Sequence, residues 1–108
     1  MKRLEAESVL ETLVEKLAAI EHERWAHWQR YMHDKGERRP DGSLVLPAEL
    51  VRHWDTQFAT RYVDLSEKEK TSDREQVRRY LPVIAAALSD YDSATGIGER
   101  AENGDIQR

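Results

Sequence analysis

The sequence predicts a mainly α-helical domain in which one long N-terminal helix packs on two or three shorter helices through irregular connectors. Apolar residues recur at three- and four-residue steps in several segments, as they do on one face of a helix. Charged residues make up 35% of the 108 residues, and leucine, alanine and glutamate recur, a mixture that favours helices over a β-sandwich. A chain of this length allows one domain with a small core.

The first helix is predicted to run from about Leu4 to Asp34. Its apolar residues fall on one face at helical spacing: Leu10, Leu13, Val14, Leu17, Ile20, Trp28, Tyr31 and Met32. Gly36 and the segment 38–42, which contains a proline and a glycine, then end the pattern.

A second helix is predicted from Pro47 to about Thr60. The apolar segment 43–47 leads into it, with an extended conformation as one option. Pro47 suits the first turn of a helix, where its missing N–H costs nothing. The apolar face of this helix comprises Leu50, Val51, Trp54 and Phe58.

The last helical region contains two capping-box spacings, Ser66 with Glu69 and Ser72 with Glu75. They predict a short helical turn at 66–70 and a separate, longer helix from about residue 72, kinked at Pro82. Its predicted buried face comprises Val77, Tyr80, Leu81, Ile84, Ala87 and Leu88. We therefore place the domain at residues 1–88 and a flexible, disordered tail at 89–108, where glycines recur and apolar residues are few.

Composition excludes several functional classes. The net charge of −4 disfavours bulk nucleic-acid binding, which usually needs a basic surface. Because the chain has no cysteine, it has no disulfide framework and no thiolate metal site. No run approaches the ~18 apolar residues of a membrane span, and the first residues are charged rather than signal-like. We expect a cytoplasmic protein that does not bind a membrane.

Two charged residues fall inside the apolar stripe of the first helix. Advancing about 100° per residue from Leu17 places Glu21 and Arg24 among Ile20 and the tryptophans. An unpaired buried charge is expensive, so these side chains need partners. They can pair with each other at i,i+3, or Arg24 can meet a carboxylate such as Asp73. Alternatively, the stripe opens there into a pocket in which Arg24 faces a ligand anion.

His22, Trp25 and Gln29 lie on the edge of the same stripe, at i, i+3 and i+7. The sequence allows two interpretations of Trp25. It is either a tryptophan at the rim of the core or a stacking platform for a planar ring such as a nucleobase.

A basic cluster lies near the start of the last helix and comprises Lys68, Lys70, Arg74 and Arg78. Free N–H groups and the positive end of the helix dipole would assist these cations in binding phosphate. The alternative is an exposed salt-bridge face with Glu67, Glu69 and Glu75. Asp73, in the first turn of the longer predicted helix, would cap that helix or anchor Arg24.

Two motifs resemble those of a known family. The segment His22-Glu23-Arg24-Trp25 resembles an "H-E-x-W" motif, and residues 65–74 resemble "L-x-x-x-E-K-x-x-D-R". Both belong to the ryanodine-receptor repeat (RyR) domain, here similar to its small stand-alone bacterial and phage type. The resemblance implies a mainly helical fold and adenine-nucleotide binding. It also implies that a ligand ring stacks on Trp25, with His22 beside it. Lys70, Asp73 and Arg74 are the residues that match the second motif.

These observations favour a binding function over catalysis. The zinc-protease motif needs histidine at i+4 from His22, but Ala26 occupies that position, so we expect no metal. No nucleophile and base have a recognisable local context, and no cofactor is implied. The first hypothesis is a module for a nucleotide-like small molecule. Its site residues would be His22, Arg24, Trp25, Gln29, Lys70, Asp73 and Arg74.

The second hypothesis is a protein-interaction or homo-oligomerising adaptor without a small-molecule ligand. Trp28, Trp54 and Phe58 would form an exposed aromatic patch of the kind that dominates interfaces. A small core also gains stability from dimerisation, so a homodimer is an expected form.

Overall fold

A computed structural model of the chain describes residues 1–95, with side chains described for residues 1–94. Its elements are the helices α1 (Arg3–Glu11), α2 (Val14–Lys35), α3 (Ala48–Ala59) and α4 (Glu67–Thr95), the strands β1 (Glu37–Arg38) and β2 (Leu44–Val45), and a 3₁₀ turn (Tyr62–Asp64). The predicted mainly α-helical class is confirmed. The longest described helix is the C-terminal α4, with 29 residues, rather than an N-terminal one.

The single first helix that the sequence predicted is instead two helices, α1 and α2. The Thr12 N–H donates to the Val9 carbonyl at 3.1 Å, and the Leu13 N–H donates to the Leu10 carbonyl at 2.9 Å. These i→i−3 bonds tighten the last turn of α1 and end it. The Thr12 hydroxyl also donates to the Val9 carbonyl, at 2.5 Å. No glycine or proline lies at residues 12–13, and the apolar spacing continues across them, so the sequence did not predict this break.

A short antiparallel hairpin follows α2, with Glu37 opposite Val45 and Arg38 opposite Leu44. Gly42 turns the chain at a φ of +90°, a conformation that glycine adopts without steric cost. Asp41 accepts hydrogen bonds from the Ser43 N–H at 2.9 Å and hydroxyl at 2.6 Å. These bonds lower the pKa of Asp41 below its ordinary value, and the bond from the Ser43 hydroxyl contributes most. The extended option for the approach to the second helix is thus confirmed at residues 44–45.

Helix α3 lies close to its predicted bounds. Pro47 is the N-cap residue, with an extended ψ of 135°, so it precedes the first turn instead of lying in it. Trp54 is half-buried, as predicted for an apolar face. Phe58, on the same predicted apolar face, is 81% exposed, as the interaction hypothesis expected. No described element covers the last turn of α3 on that side.

Helix α4 begins at the first of the two predicted caps, Ser66, and continues without interruption past the second, Ser72. The Ser66 N–H donates to Glu69 Oε1 at 3.1 Å, and the Glu69 N–H donates to Ser66 Oγ at 3.1 Å. This reciprocal pair satisfies donors that the first turn leaves open. Ser72 lies inside a continuous helix, so the prediction of two separate helices is wrong. Pro82 also lies inside α4, and a kink there stays a prediction.

The predicted tail begins too early. Helix α4 continues to Thr95, so residues 89–95 are helical; the remainder of the predicted tail, 96–108, lies outside the described residues. Tyr91 is half-buried, and its hydroxyl donates a hydrogen bond to the Glu5 carboxylate. The spacing of Ile84, Leu88 and Tyr91 extends the apolar pattern of α4 by one more turn.

The chain divides into two compact units. Unit 1 comprises residues 1–20 with α4 from Val77 onward, and unit 2 comprises residues 21–76. Among the described side chains, Leu13 in unit 1 is the only apolar one that is buried, at 4% exposure. Across residues 1–95, no helix is both long enough and apolar enough to cross a bilayer.

Many residues that the sequence placed on buried faces are exposed. On the predicted first helix they are Leu10, Val14, Trp28 and Tyr31, and on α4 they are Val77, Leu81 and Leu88. Leu10 lies on α1, and the other exposed residues of the first set lie on α2. Within each unit, too few other elements are present to cover all of these faces.

We predict that Ser66→Ala lowers the free energy of unfolding by about 1 kcal/mol, because it removes the side chain that caps α4. Ser72→Ala is the matched control. It leaves the cap intact and places a better helix former inside α4, so stability should stay constant or rise by a few tenths of a kcal/mol. Urea unfolding followed by circular dichroism measures both. Equal stability of the two variants would contradict the capping role of Ser66.

Candidate functional site

The two charged residues in the stripe of α2 bind each other. Arg24 Nε donates to Glu21 Oε2 at 3.2 Å, and a second guanidinium nitrogen contacts the other carboxylate oxygen. Both side chains are about half exposed. The predicted i,i+3 pairing is therefore confirmed, and it gives each of the two charged residues in the apolar stripe a partner on the same helix. A ligand anion would have to compete with the Glu21 carboxylate for Arg24.

His22 and Trp25 form an aromatic pair on α2. Their ring centroids are 5.9 Å apart, and the ring planes differ by 25°, which is a stacked arrangement. Trp25 is 56% exposed, so its indole lies on the surface of unit 2. Gln29, one turn further along, is half-buried. The pair presents a planar aromatic surface to solvent.

The residues predicted on α4 form a second group around Tyr62. Lys70 Nζ lies 5.8 Å from the centroid of the Tyr62 ring, and Arg74 Nη1 donates to Glu67 Oε2 at 3.2 Å. The Glu67 hydrogen bond raises the pKa of the Arg74 guanidinium, and Tyr62 contributes in the same direction. The alternative of a salt-bridge face with Glu67 is thus confirmed for Arg74. Asp73 directly precedes Arg74 on α4 and is exposed.

All of the predicted site residues lie in unit 2, but the contacts above stay within each group. On α2 the group comprises His22, Arg24, Trp25 and Gln29, and on α4 it comprises Lys70, Asp73 and Arg74. Each cation has a partner in its own group: a carboxylate for Arg24 and Arg74, and an aromatic ring for Lys70. The aromatic surface of Trp25 is the feature of these groups that is most open to a ligand.

A polar contact that the sequence did not predict joins α3 to α4. Gln57 Nε2 donates to Glu69 Oε2 at 2.7 Å, while Glu69 Oε1 accepts from Ser66 Oγ at 2.9 Å. The hydrogen bond from Gln57 is the largest cause of a pKa of Glu69 below its ordinary value, and the two bonds from Ser66 add to it. Glu69 therefore caps α4 and holds α3 against it.

An aromatic cluster also joins α2 to α3 within unit 2. Trp28 stacks on Tyr31, with centroids 5.6 Å apart, and meets Trp54 edge to face at 5.3 Å. Lys35 Nζ lies 5.3 Å from the centroid of the Tyr31 ring. Trp28 and Tyr31 are still exposed on their outer sides. Of the three residues expected in an exposed aromatic patch, Trp28 and Phe58 are exposed, whereas Trp54 is half-buried and contacts Trp28.

A groove of about 990 Å³ lies in unit 1 between α1 and the C-terminal half of α4. It is lined by Leu4, Glu5, Ser8, Val9, Thr12, Leu13, Lys16, Pro82, Val83, Ala86, Ala87, Asp90 and Tyr91. None of the predicted site residues lines it. The sequence does contain one indication of this groove. The apolar spacing continues to Tyr91, which indicates that α4 is long enough to form one side of it.

Comparison of the chain with protein-family models, with curated proteins and with solved structures finds no match. Within the described residues, no group of three or more histidine, aspartate or glutamate side chains is placed to hold a metal ion. The resemblance to the RyR domain therefore rests on the two sequence motifs alone.

We predict that the hydrogen bonds to Glu69 make stability depend on pH. Because the folded pKa of Glu69 is lowered, its contribution to the free energy of unfolding is present above the ordinary glutamate pKa and is lost as pH falls through the folded pKa. Between about pH 6 and pH 3, the wild type should lose more stability than Glu69→Gln, which cannot titrate at this position.

Urea unfolding at several pH values measures this effect. Glu75→Gln, an exposed position on the same helix, is the matched control and should follow the wild type. If Glu69→Gln and the wild type lose stability in parallel, the hydrogen bonds to this carboxylate do not contribute as we argue.

Proposed function

We propose that this chain is an interaction module, acting in the cytoplasm, that buries its apolar helix faces against a protein partner rather than catalysing a reaction. The observation that carries the proposal is that Leu13 alone is buried among the described apolar side chains. Full burial of one leucine contributes about 1.5–3 kcal/mol. Fixing the backbone of each residue costs about 1–2 kcal/mol, so the half-buried side chains must supply nearly all of the remaining stabilisation.

The exposed apolar side chains are of the type that stabilises interfaces. Near the end of α3, Phe58 is 81% exposed, and Tyr62 and Val63 in the following 3₁₀ turn are also exposed. Trp28 and Tyr31 add aromatic surface on α2. Aromatic side chains at the centre of an interface contribute most of its binding free energy. Extended apolar exposure in a charged, water-compatible chain is typical of a surface that a partner covers.

We predict that the thermal stability of the purified chain rises with its own concentration. A hundredfold increase in concentration stabilises a dimer by about 2.7 kcal/mol relative to unfolded chains, which raises the Tm by about 5–10 °C. Differential scanning calorimetry at several concentrations, with sedimentation velocity at the same concentrations, measures both quantities. A constant Tm together with a monomer at the highest concentration would contradict self-association.

A nucleotide-like small molecule is the second candidate ligand, and the exposed Trp25–His22 pair favours it. Stacking of a base on an aromatic side chain contributes about 1–3 kcal/mol. Arg24, Lys70 and Arg74 would meet the phosphates once they exchange their present partners, with Gln29 and Asp73 at the edges of the site. In a bacterial or phage setting, as the RyR resemblance implies, such a module would sense or sequester a nucleotide signal.

Titration of tryptophan fluorescence with mono-, di- and cyclic nucleotides tests this second function. We predict quenching, because a base stacked on Trp25 changes the environment of an indole that is now half in solvent. Trp25→Phe should lose the response, whereas Trp54→Phe, which alters a tryptophan in the α2–α3 cluster, should keep it. A flat signal for every nucleotide at millimolar concentration would exclude nucleotide binding at this site.

A further inference from the structure

The two walls of the groove in unit 1 have the spacing of helix ridges. On each wall the lining residues form two rows in which neighbours are four residues apart. The rows are Leu4, Ser8 and Thr12; Glu5, Val9 and Leu13; Pro82, Ala86 and Asp90; and Val83, Ala87 and Tyr91. Rows of this spacing are the ridges that fit into the grooves of another helix when two helices pack. Both walls therefore present a surface on which a third helix can pack.

Apolar side chains make up most of the lining, and those in the middle of the α4 wall are small. Leu13 is buried and Val9 is half-buried on one side, while Ala86 and Ala87 lie on the other. The distance between packed helices depends on the size of the side chains at their contact, and small ones allow a close approach. A helix can therefore lie deep in the groove and cover apolar surface on both walls.

The dimensions of the groove suit a segment of helix. From Pro82 to Tyr91 the α4 wall is about 13.5 Å long at 1.5 Å per residue, which corresponds to about two and a half helical turns. The volume of about 990 Å³ is at the upper end of the range for small-molecule pockets, about 300–1,000 Å³. Leu4 is 80% exposed on the rim, whereas a small-molecule pocket encloses most of its ligand.

One end of the groove is acidic. The Tyr91 hydroxyl donates a hydrogen bond to the Glu5 carboxylate, so Glu5 lies beside the part of α4 that carries Asp90. Asp90 is exposed and has no ion-pair partner among the described residues. Lys16, the one cation among the described lining residues, lies beyond Leu13 on α2. A lysine or arginine on a bound helix would be complementary in charge to the end at Asp90.

We infer that the groove binds an amphipathic helix of a protein partner, with a basic residue of that helix beside Asp90. This inference rests on the proposed interaction function and names the kind of partner. The apolar face of the helix lies between α1 and α4, which is a common way for proteins to recognise helical segments. A free helix of two to three turns is marginal in water, so an unstructured partner segment folds as it binds.

Two model peptides test the inference on the full chain. The basic peptide has about 18 residues, with leucines at steps of three and four on one face and two lysines in one terminal turn. The acidic peptide carries two glutamates in place of the lysines. Fluorescence anisotropy of the labelled peptides measures their affinities. The wild type should bind the basic peptide about tenfold more tightly than the acidic one.

Charge reversal at the acidic end provides the second measurement. Asp90→Lys should remove this preference or reverse it, because it places an ammonium where the partner's cation would lie. Asp55→Lys is the matched control, since it makes the same change at an exposed position of α3 in unit 2. It should keep the preference of the wild type. An equal effect of the two substitutions would mean that the net charge of the chain selects the peptide, and would overturn the inference.

Filling the groove provides the third measurement. Ala86 and Ala85 are both exposed on α4, but Ala86 lines the groove and Ala85 does not. Ala86→Trp should weaken binding of the basic peptide at least tenfold, because the indole occupies the space of the helix. Ala85→Trp should bind like the wild type. Circular dichroism shows whether each variant keeps its helices, and Asp90→Lys decides the question if Ala86→Trp does not.

Other occupants of the groove are separate outcomes, and each contradicts the inference. If dodecylammonium displaces the basic peptide at similar concentration, the groove takes a small amphiphile. If Ala86→Trp abolishes self-association and Ala85→Trp does not, a second copy of the chain fills it. Binding of the basic peptide that survives Ala86→Trp would place the helix elsewhere. None of these results removes the proposed function, because Phe58 and the exposed aromatic surface of unit 2 stay available to a partner.

Discussion

The shortage of covered apolar surface is the constraint on which the rest of this structure depends. Long helices supply more apolar side chains than the short elements beside them can bury, and Leu13 alone reaches full burial among the described residues. Helix α1 and the C-terminal half of α4 form the two walls of the groove in unit 1, and the Tyr91 hydroxyl donates a hydrogen bond to the Glu5 carboxylate there. Leu13, which lies between α1 and α2, lines the same groove.

Unit 2 replaces missing apolar burial with polar and aromatic contacts. The Glu69 carboxylate receives bonds from Gln57 and Ser66 at once, so one residue caps α4 and attaches α3 to it. Trp28 and Trp54 form the apolar counterpart of that attachment. Such contacts are directional and position their helices well, but they contribute less net stabilisation than a filled core. If the chain is the interaction module that we propose, a partner that covers its exposed faces would also stabilise its fold.

Polar contacts within unit 2 also determine which parts of the candidate ligand site are free to bind. Two of the three cations that would meet phosphate already have a carboxylate partner, since Arg24 binds Glu21 and Arg74 binds Glu67. Ion pairs at exposed positions contribute little, so exchanging them for a phosphate carries a small free-energy cost. Trp25 does not need such an exchange. The aromatic pair on α2 is therefore the part of the site that is preorganised, and the charged groups are the part that would have to rearrange.

The sequence by itself determined the features that depend on neighbours within about one helical turn. The helical class is the clearest of these. The cap at Ser66, the extended approach to α3 and the Glu21–Arg24 pair were each one of the alternatives that spacing along the chain allowed, and the structure selected them. Only the tertiary structure decided the break at residues 12–13, the continuation of α4 to Thr95 and the exposure of its predicted buried face. For the continuation of α4, the visible contact joins residues far apart in the chain, Glu5 and Tyr91, which are 86 positions apart. A periodic pattern shows that a face is apolar, but whether that face is covered depends on which other elements fold against it.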